Sequence, residues 1–154
     1  MPPTYVIGNL WDELGKADLL LVTTNASFDR YGQLVMGAGA ALEAKIRWPF
    51  MPIDLGQHLK RIIKNDTHIY GVKIWKKLDG SKTHVGIFQT KTNWRESSSA
   101  PIIASSVECL LKIIQSYHRI AMNYPGIGLG NLSRDVVEPL LEQLPAHVFI
   151  YSKE

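Results

Sequence analysis

The stretch that most constrains this chain runs from Leu19 to Lys45, LLLVTTNASFDRYGQLVMGAGAALEAK. Leu19 to Thr24 is an apolar run ending in β-branched residues, and it reads as a buried strand. Asn25 to Gly32 is polar and turn-forming, so it reads as a loop. Met36-Gly37-Ala38-Gly39-Ala40-Ala41 then forms a small-residue turn running straight into a helix. A strand, a bend nearly free of side chains and a helix start together present several backbone N–H groups to an anion. The helix dipole adds favourable partial charge. The spacing is neither G-x-G-x-x-G nor G-x-x-x-x-G-K-[ST], so neither a dinucleotide fold nor a P-loop follows. On pattern alone, Gly37 and Gly39 fit a tight turn with close helix packing equally well.

Length sets the frame for that stretch. The 154 residues suit one domain, 1–154, with one sizeable core. A formal charge of +3 favours an anionic ligand slightly and is too small to argue a nucleic-acid groove. The sole cysteine, Cys109, permits no intrachain disulfide and fits a reducing compartment; it reads as a small buried helix residue. MPPTYVIG lacks the regions of a secretory signal, and no apolar run approaches the ~20 residues of a membrane span. The expected location is the cytoplasm, with no membrane contact. His58, His68, His84, His118 and His147 show no ligand spacing and there is no Cys pair, so no metal and no cofactor is expected.

In chain order, Thr4 to Ile7 reads as a first strand, Leu10 to Leu14 as one or two helical turns, and Leu19 to Thr24 as the second strand. A helix from Ala38 to Trp48 ends against Pro49. Pro52 and Asp54 precede a second helix carrying Leu55, Leu59, Ile62 and Ile63, with Lys60, Arg61 and Lys64 outward. His68 to Trp75 and Val85 to Gln89 read as strands joined through an Asp79-Gly80 hairpin. Ser97-Ser98-Ser99 caps a helix with Pro101 in its first turn. Ile120 to Asn123 is a short strand, Ser133 caps a last helix kinked at Pro139, and His147 to Tyr151 closes the chain. Alternating strands and helices predict an α/β fold with a mixed, mostly parallel sheet covered on both faces.

Tyr124-Pro125-Gly126-Ile127-Gly128-Leu129-Gly130-Asn131 is a second glycine-rich loop between a strand and a helix start. Both loops then lie at the carboxyl ends of strands, the edge where open α/β sheets bind ligands. Two such loops lining one edge favour a diphosphate clamp over either loop alone.

These segments resemble a macro domain, the ADP-ribose-binding α/β/α module. VIGNLWDELGKADLLLVTTNAS resembles its opening strand, turn and second strand, and LVMGAGAALEAKIRWP resembles its first ligand loop and helix. IFQTKTNWR and YPGIGLGNLSRDVVEPLL resemble its later strand and its diphosphate-binding loop. The resemblance covers nearly the whole chain. It is greatest to the branch of terminal ADP-ribose protein glycohydrolases and DNA de-ADP-ribosylating antitoxins, and to related phage and bacterial proteins.

The resemblance implies a three-layer fold and roles for named residues. Asn25 would position the distal-ribose hydroxyls, the other reading being an Asn that satisfies its own turn. Gly37, Ala38, Gly39 and Ala40 would bring amides to the phosphates, and Gly126, Ile127, Gly128, Leu129 and Gly130 would wrap the diphosphate from the other side. Asn9 stands where many macro domains carry an Asp that accepts from the adenine amine; an Asn carbonyl still accepts, without the charge. The branch's lysine nucleophile maps to Lys45, two turns into the helix, which would attack the anomeric carbon. The alternative is a solvated lysine or a counter-charge to phosphate. Asn131 falls where the branch carries a second catalytic Asp, and an Asn is no general base. Asp135 and Asp29 are weaker acid candidates. Apart from the resemblance, Trp94 and Tyr124 are candidates to stack on the ligand and Thr90, Lys91 and Arg95 to approach it, while Lys73, Lys76, Lys77 and Lys82 read as a solvated strand edge protected by lysine rather than as a polyanion contact.

The function expected is binding of ADP-ribose, with hydrolysis of ADP-ribose from modified protein or nucleic acid, or action on ADP-ribose 1''-phosphate. The alternatives are a non-catalytic reader or sponge and, behind it, a nucleic-acid-binding module.

Overall fold

The computed structural model describes residues 2–63, 68–77 and 82–154. Its architecture follows from the apolar strand β2 (Leu19–Thr24). Successive side chains of a strand point to opposite faces, so an unbroken apolar run needs cover on both. Leu20 and Val22 enter one core with Val85, Ile87 and Ala121, while Leu19 and Leu21 enter a second with Phe88, Ile120 and Met122. Helices α1 (Gly39–Arg47) and α2 (Met51–Ile62) close the first core through Ala41, Ala44, Met51, Leu55 and Leu59. Helices α3 (Ala100–Ile113) and α4 (Arg134–Leu141) close the second through Ile103, Val107, Leu110, Val137 and Leu141. The result is a three-layer α/β/α sandwich.

The sheet also contains β1 (Thr4–Ile7), β3 (Val72–Lys77), β4 (His84–Gln89), β5 (Ile120–Asn123) and β6 (Val148–Ser152), in the order β1-β6-β5-β2-β4-β3. Every adjacent pair is parallel except β3 with β4, so the sheet is mixed and mostly parallel, as the sequence predicts. The carboxyl ends of β1, β2, β4, β5 and β6 therefore share one edge. Strands β2 and β5 pair only from Leu19–Ile120 to Leu21–Met122. Beyond that point the Asn123 side chain replaces the ladder: Oδ1 accepts from Thr23 N at 3.0 Å and Nδ2 donates to Thr23 Oγ1 at 2.8 Å. The two strands diverge there, and the gap between them becomes the floor of a cleft.

Several boundaries differ from the sequence reading for local reasons. α2 starts at Met51 and takes Pro52 into its first turn, where a missing N–H costs nothing. Residues 68–71 are not strand: His68 has φ 52° and Gly71 φ 76°, and β3 begins at Val72. Ser99 caps α3 by accepting from Ile102 N, whereas Ser133 precedes α4 without a side-chain cap bond. The Asp79-Gly80 turn and Lys64 lie outside the described residues. Trp11, Trp48 and Trp75 form a packed series with ring centroids 5.8 and 6.0 Å apart.

Candidate functional site

A cleft of about 770 Å³ opens at the shared carboxyl edge. Thr23, Thr24 and Asn25 from the end of β2, with Asn123 and Tyr124 from the end of β5, line it between the two glycine bends. Residues 37–41 form one wall. Ala38 precedes α1 in extended conformation (φ −154°) with no side-chain cap bond, so the first amides of the helix are left for another acceptor. Residues 126–130 form the facing wall. Gly126 has φ 82°, and a Cβ there would lie 2.8 Å from Ile103 Cδ1, so only glycine lets the chain turn this close to the α3 core. The bend is tied down by Leu132 N donating to Gly126 O at 2.9 Å and by Ser98 N donating to Gly130 O at 2.8 Å.

The cleft gathers Asn9, Asn25, Gly37, Ala38, Gly39, Ala40, Gly126, Ile127, Gly128, Leu129 and Gly130 on one surface. Asn25 is buried, and its side chain also serves its own turn: Oδ1 accepts from Ser27 N at 2.9 Å and Nδ2 donates to Val35 O at 3.2 Å. Asn9 Oδ1 accepts from Trp11 N at 3.0 Å, capping the 3-10 turn Leu10–Glu13. Asn131 does not line the cleft; it adopts a left-handed conformation (φ 65°) after the second bend, and its Nδ2 reaches Ser97 Oγ at 3.5 Å.

Lys45 is exposed on α1 and outside the cleft lining, while Ala40 and Glu43 on the same helix face the cleft. Lys45 follows Glu43 by two residues, about 200° around a helix, which turns it away. The lysine that lines the cleft beside Thr90 and Ser98 is Lys91, from the segment after β4. Asp29 is held as a turn former, accepting from Tyr31 N at 2.8 Å and Gln33 N at 3.0 Å. Trp94 is half exposed and off the cleft, with the Arg95 guanidinium 5.0 Å from its ring centroid.

The sequence reading missed the contribution of β6. Tyr151, Ser152, Lys153 and Glu154 line the end of the cleft near Gly8 and Asn9, and no turn signal after β6 marks them. Arg134 also lines the cleft, 4.6 Å above the Tyr124 ring and donating to Glu154 O. Lys91, Arg134 and Lys153 thus place cations along a cleft whose lining acids are Glu43 and Glu154. Tyr151 is held from below: its hydroxyl donates to Glu13, whose carboxylate also accepts two 2.8 Å bonds from Arg119. Burial and the Glu13 bond push the Tyr151 hydroxyl up to about 12. Among the described residues no group of three or more His, Cys, Asp or Glu could hold a metal ion, and no helix is long and apolar enough to cross a membrane.

A mixed six-stranded sheet between helix layers, with a cleft walled by two glycine bends at its carboxyl edge, is the macro-domain fold. The chain is similar over 99% of its length to the macrodomain of Mycobacterium tuberculosis DarG, at 29% identity and a TM-score of 0.74, covering 98% of that chain. The macrodomain of Thermus aquaticus DarG shares the fold at 23% identity and a TM-score of 0.74, with 97% of each chain covered. Thermosipho africanus DarTG, solved in complex with ADP-ribose, matches at 22% identity and a TM-score of 0.76 over 98% of this chain and 41% of that one. No protein-family model and no curated protein matches the sequence.

Proposed function

We propose that this chain binds ADP-ribose, with the adenine toward Asn9 and Tyr151, the diphosphate between residues 37–41 and 126–130, and the distal ribose at Asn25. The observation that carries the reading is the pair of glycine bends facing each other across one cleft of about 770 Å³. That volume falls within the roughly 300–1,000 Å³ of small-molecule sites. Backbone amides at the start of α1 suit a diphosphate, and Lys91, Arg134 and Lys153 add charge of the right sign. The likeness to Thermosipho africanus DarTG, solved in complex with ADP-ribose, supports the same ligand. We read residues 1–154 as one macro domain acting in the cytoplasm. Calorimetry with ADP-ribose tests the binding: a saturable one-to-one complex is expected. No binding of ADP-ribose, with a salt-sensitive complex to unmodified oligonucleotide, would overturn it.

A second reading adds catalysis, and the position of Lys91 favours it. Lys91 lines the cleft from the segment beside Asn25, where the anomeric carbon of the distal ribose would sit. In that reaction the Lys91 amine forms a bond to that carbon, the bond to the modified protein or nucleic acid breaks as the target leaves with a proton from the amine, and water then releases ADP-ribose. With Asn131 off the cleft and no acid in the second bend, the cleft offers Lys91 without the partner Asp of the two-residue mechanism. Slow release, or a reader without turnover, follows from that arrangement.

A further inference from the structure

The buried backbone carbonyl of Asn25 is held by a residue far along the chain. Tyr70 Oη donates to Asn25 O at 2.7 Å and also bonds the Thr24 hydroxyl. The phenol has one proton, so with that proton on the Asn25 carbonyl the Thr24 hydroxyl donates in the second bond. Burial pushes the Tyr70 hydroxyl well above the usual phenol range, which keeps that proton in place.

Gln89 brings Tyr70 there. The Gln89 side chain is buried at 0% exposure and uses all four of its hydrogen-bonding positions. Oε1 accepts from Tyr70 N at 2.8 Å and Gly71 N at 3.2 Å, and Nε2 donates to His68 O at 2.7 Å and Lys91 O at 3.2 Å. Residues 68–70 are thereby curled away from β4, whose last backbone bond runs from Gln89 N to Gly71 O at 2.8 Å, and Gly71 cannot be replaced without strain, since its φ is 76° and a Cβ would lie 2.4 Å from Cys109 Sγ. One glutamine therefore shapes the segment that carries Tyr70 and holds the main chain of Lys91.

We infer that Tyr70 is a positioning residue for the distal-ribose end of the cleft, fixing the main chain of Asn25 and with it the direction of the Asn25 amide. Gln89 sets Tyr70 in place and couples it to the Lys91 segment. The inference rests on ADP-ribose binding with Asn25 at the distal ribose.

The test compares ADP-ribose with ADP, which has the adenosine and diphosphate but no distal ribose, by calorimetry on wild type and Tyr70→Phe. Phenylalanine fills the same space and leaves the Asn25 carbonyl unpaired. The expected result is a loss of at least about fivefold for ADP-ribose and less than about twofold for ADP. Equal losses for both ligands, or none, would overturn the positioning role. A wild type that binds neither nucleotide overturns the binding reading itself and this inference with it. If Tyr70→Phe does not fold, a wild-type co-crystal with ADP-ribose decides. Asn25 Nδ2 within hydrogen-bond distance of a distal-ribose hydroxyl, with the Tyr70–Asn25 bond kept, supports the inference; an Asn25 amide clear of that ribose overturns it.

Discussion

Lys91 and Asn25 line the cleft from adjacent strand ends: β4 and β2 pair in register as far as Thr24 and Gln89, and the chain delivers both residues just beyond that pair. If the cleft hydrolyses an ADP-ribosyl bond, the amine that does so is the one at this position. Lys91→Ala is expected to lower release of ADP-ribose from a modified protein or oligonucleotide by about 10²-fold or more. Lys45→Ala, altering an exposed position on the far side of α1, is expected to leave it within about twofold. Single-turnover release assays on both variants decide; the reverse pattern would return the nucleophile to α1.

Gly37 offers a way to separate ligand from fold. A Cβ built at Gly37 meets nothing within 4 Å, and the backbone there is not left-handed. Gly37→Val is expected to leave unfolding free energy within about 0.5–1 kcal/mol of wild type. Its branched side chain takes up the space a phosphate would need, so ADP-ribose affinity should fall at least about tenfold. Urea denaturation and calorimetry on one sample check both halves.

At the other end of the cleft, Asn9 already gives one carbonyl lone pair to Trp11 N. Asp caps a helical turn as well as Asn does, so Asn9→Asp should preserve the 3-10 turn. It replaces a mixed donor and acceptor with a charged acceptor for the adenine amine. The expected outcome is several-fold tighter binding of ADP-ribose and sharper discrimination against the analogue whose base carries an oxygen in place of that amine. Competition titrations with the two nucleotides measure it.

Arg119 and Glu13 supply a stability prediction. Glu13 is almost wholly buried, bonded twice to Arg119 and once to Tyr151. Arg119→Met keeps a chain that packs against Phe149 but leaves the carboxylate with Tyr151 alone, at a cost of about 1–3 kcal/mol, since Arg119 is partly exposed. The Arg119 hydrogen bonds hold the Glu13 carboxyl below its ordinary value of 4.5. A depressed carboxyl stabilises the fold at pH above that ordinary value, and the contribution disappears as pH falls through the folded value. Urea midpoints should therefore drop below pH 4.5 in wild type and drop less in Arg119→Met.

Much of this was legible in the sequence because it was local. β1, β2 and β5 were read with their observed bounds, since apolar residues run directly into Gly8-Asn9, Asn25 and Tyr124-Pro125. Both glycine bends announced themselves in the same way. What escaped were features set by distant partners. His68 to Tyr70 looks like more strand, yet the Gln89 side chain takes the bonds a ladder would have used. The resemblance maps the lysine to Lys45, yet Ala44 points to the core and Ala40 and Glu43 to the cleft, which leaves Lys45 exposed and outside the lining. The run from Tyr151 to Glu154 reaches the cleft only because β6 lies between β1 and β5.

A cradle made mainly from peptide groups carries a consequence for descent. Substitution at Ala38, Ile127 or Leu129 changes what protrudes from the walls and leaves their N–H groups where they were. Such a receptor can lose most of its lettering and still grip the same guest, provided the bends keep their shape. Its kin are then easier to recognise by the path of the chain than by the order of its residues.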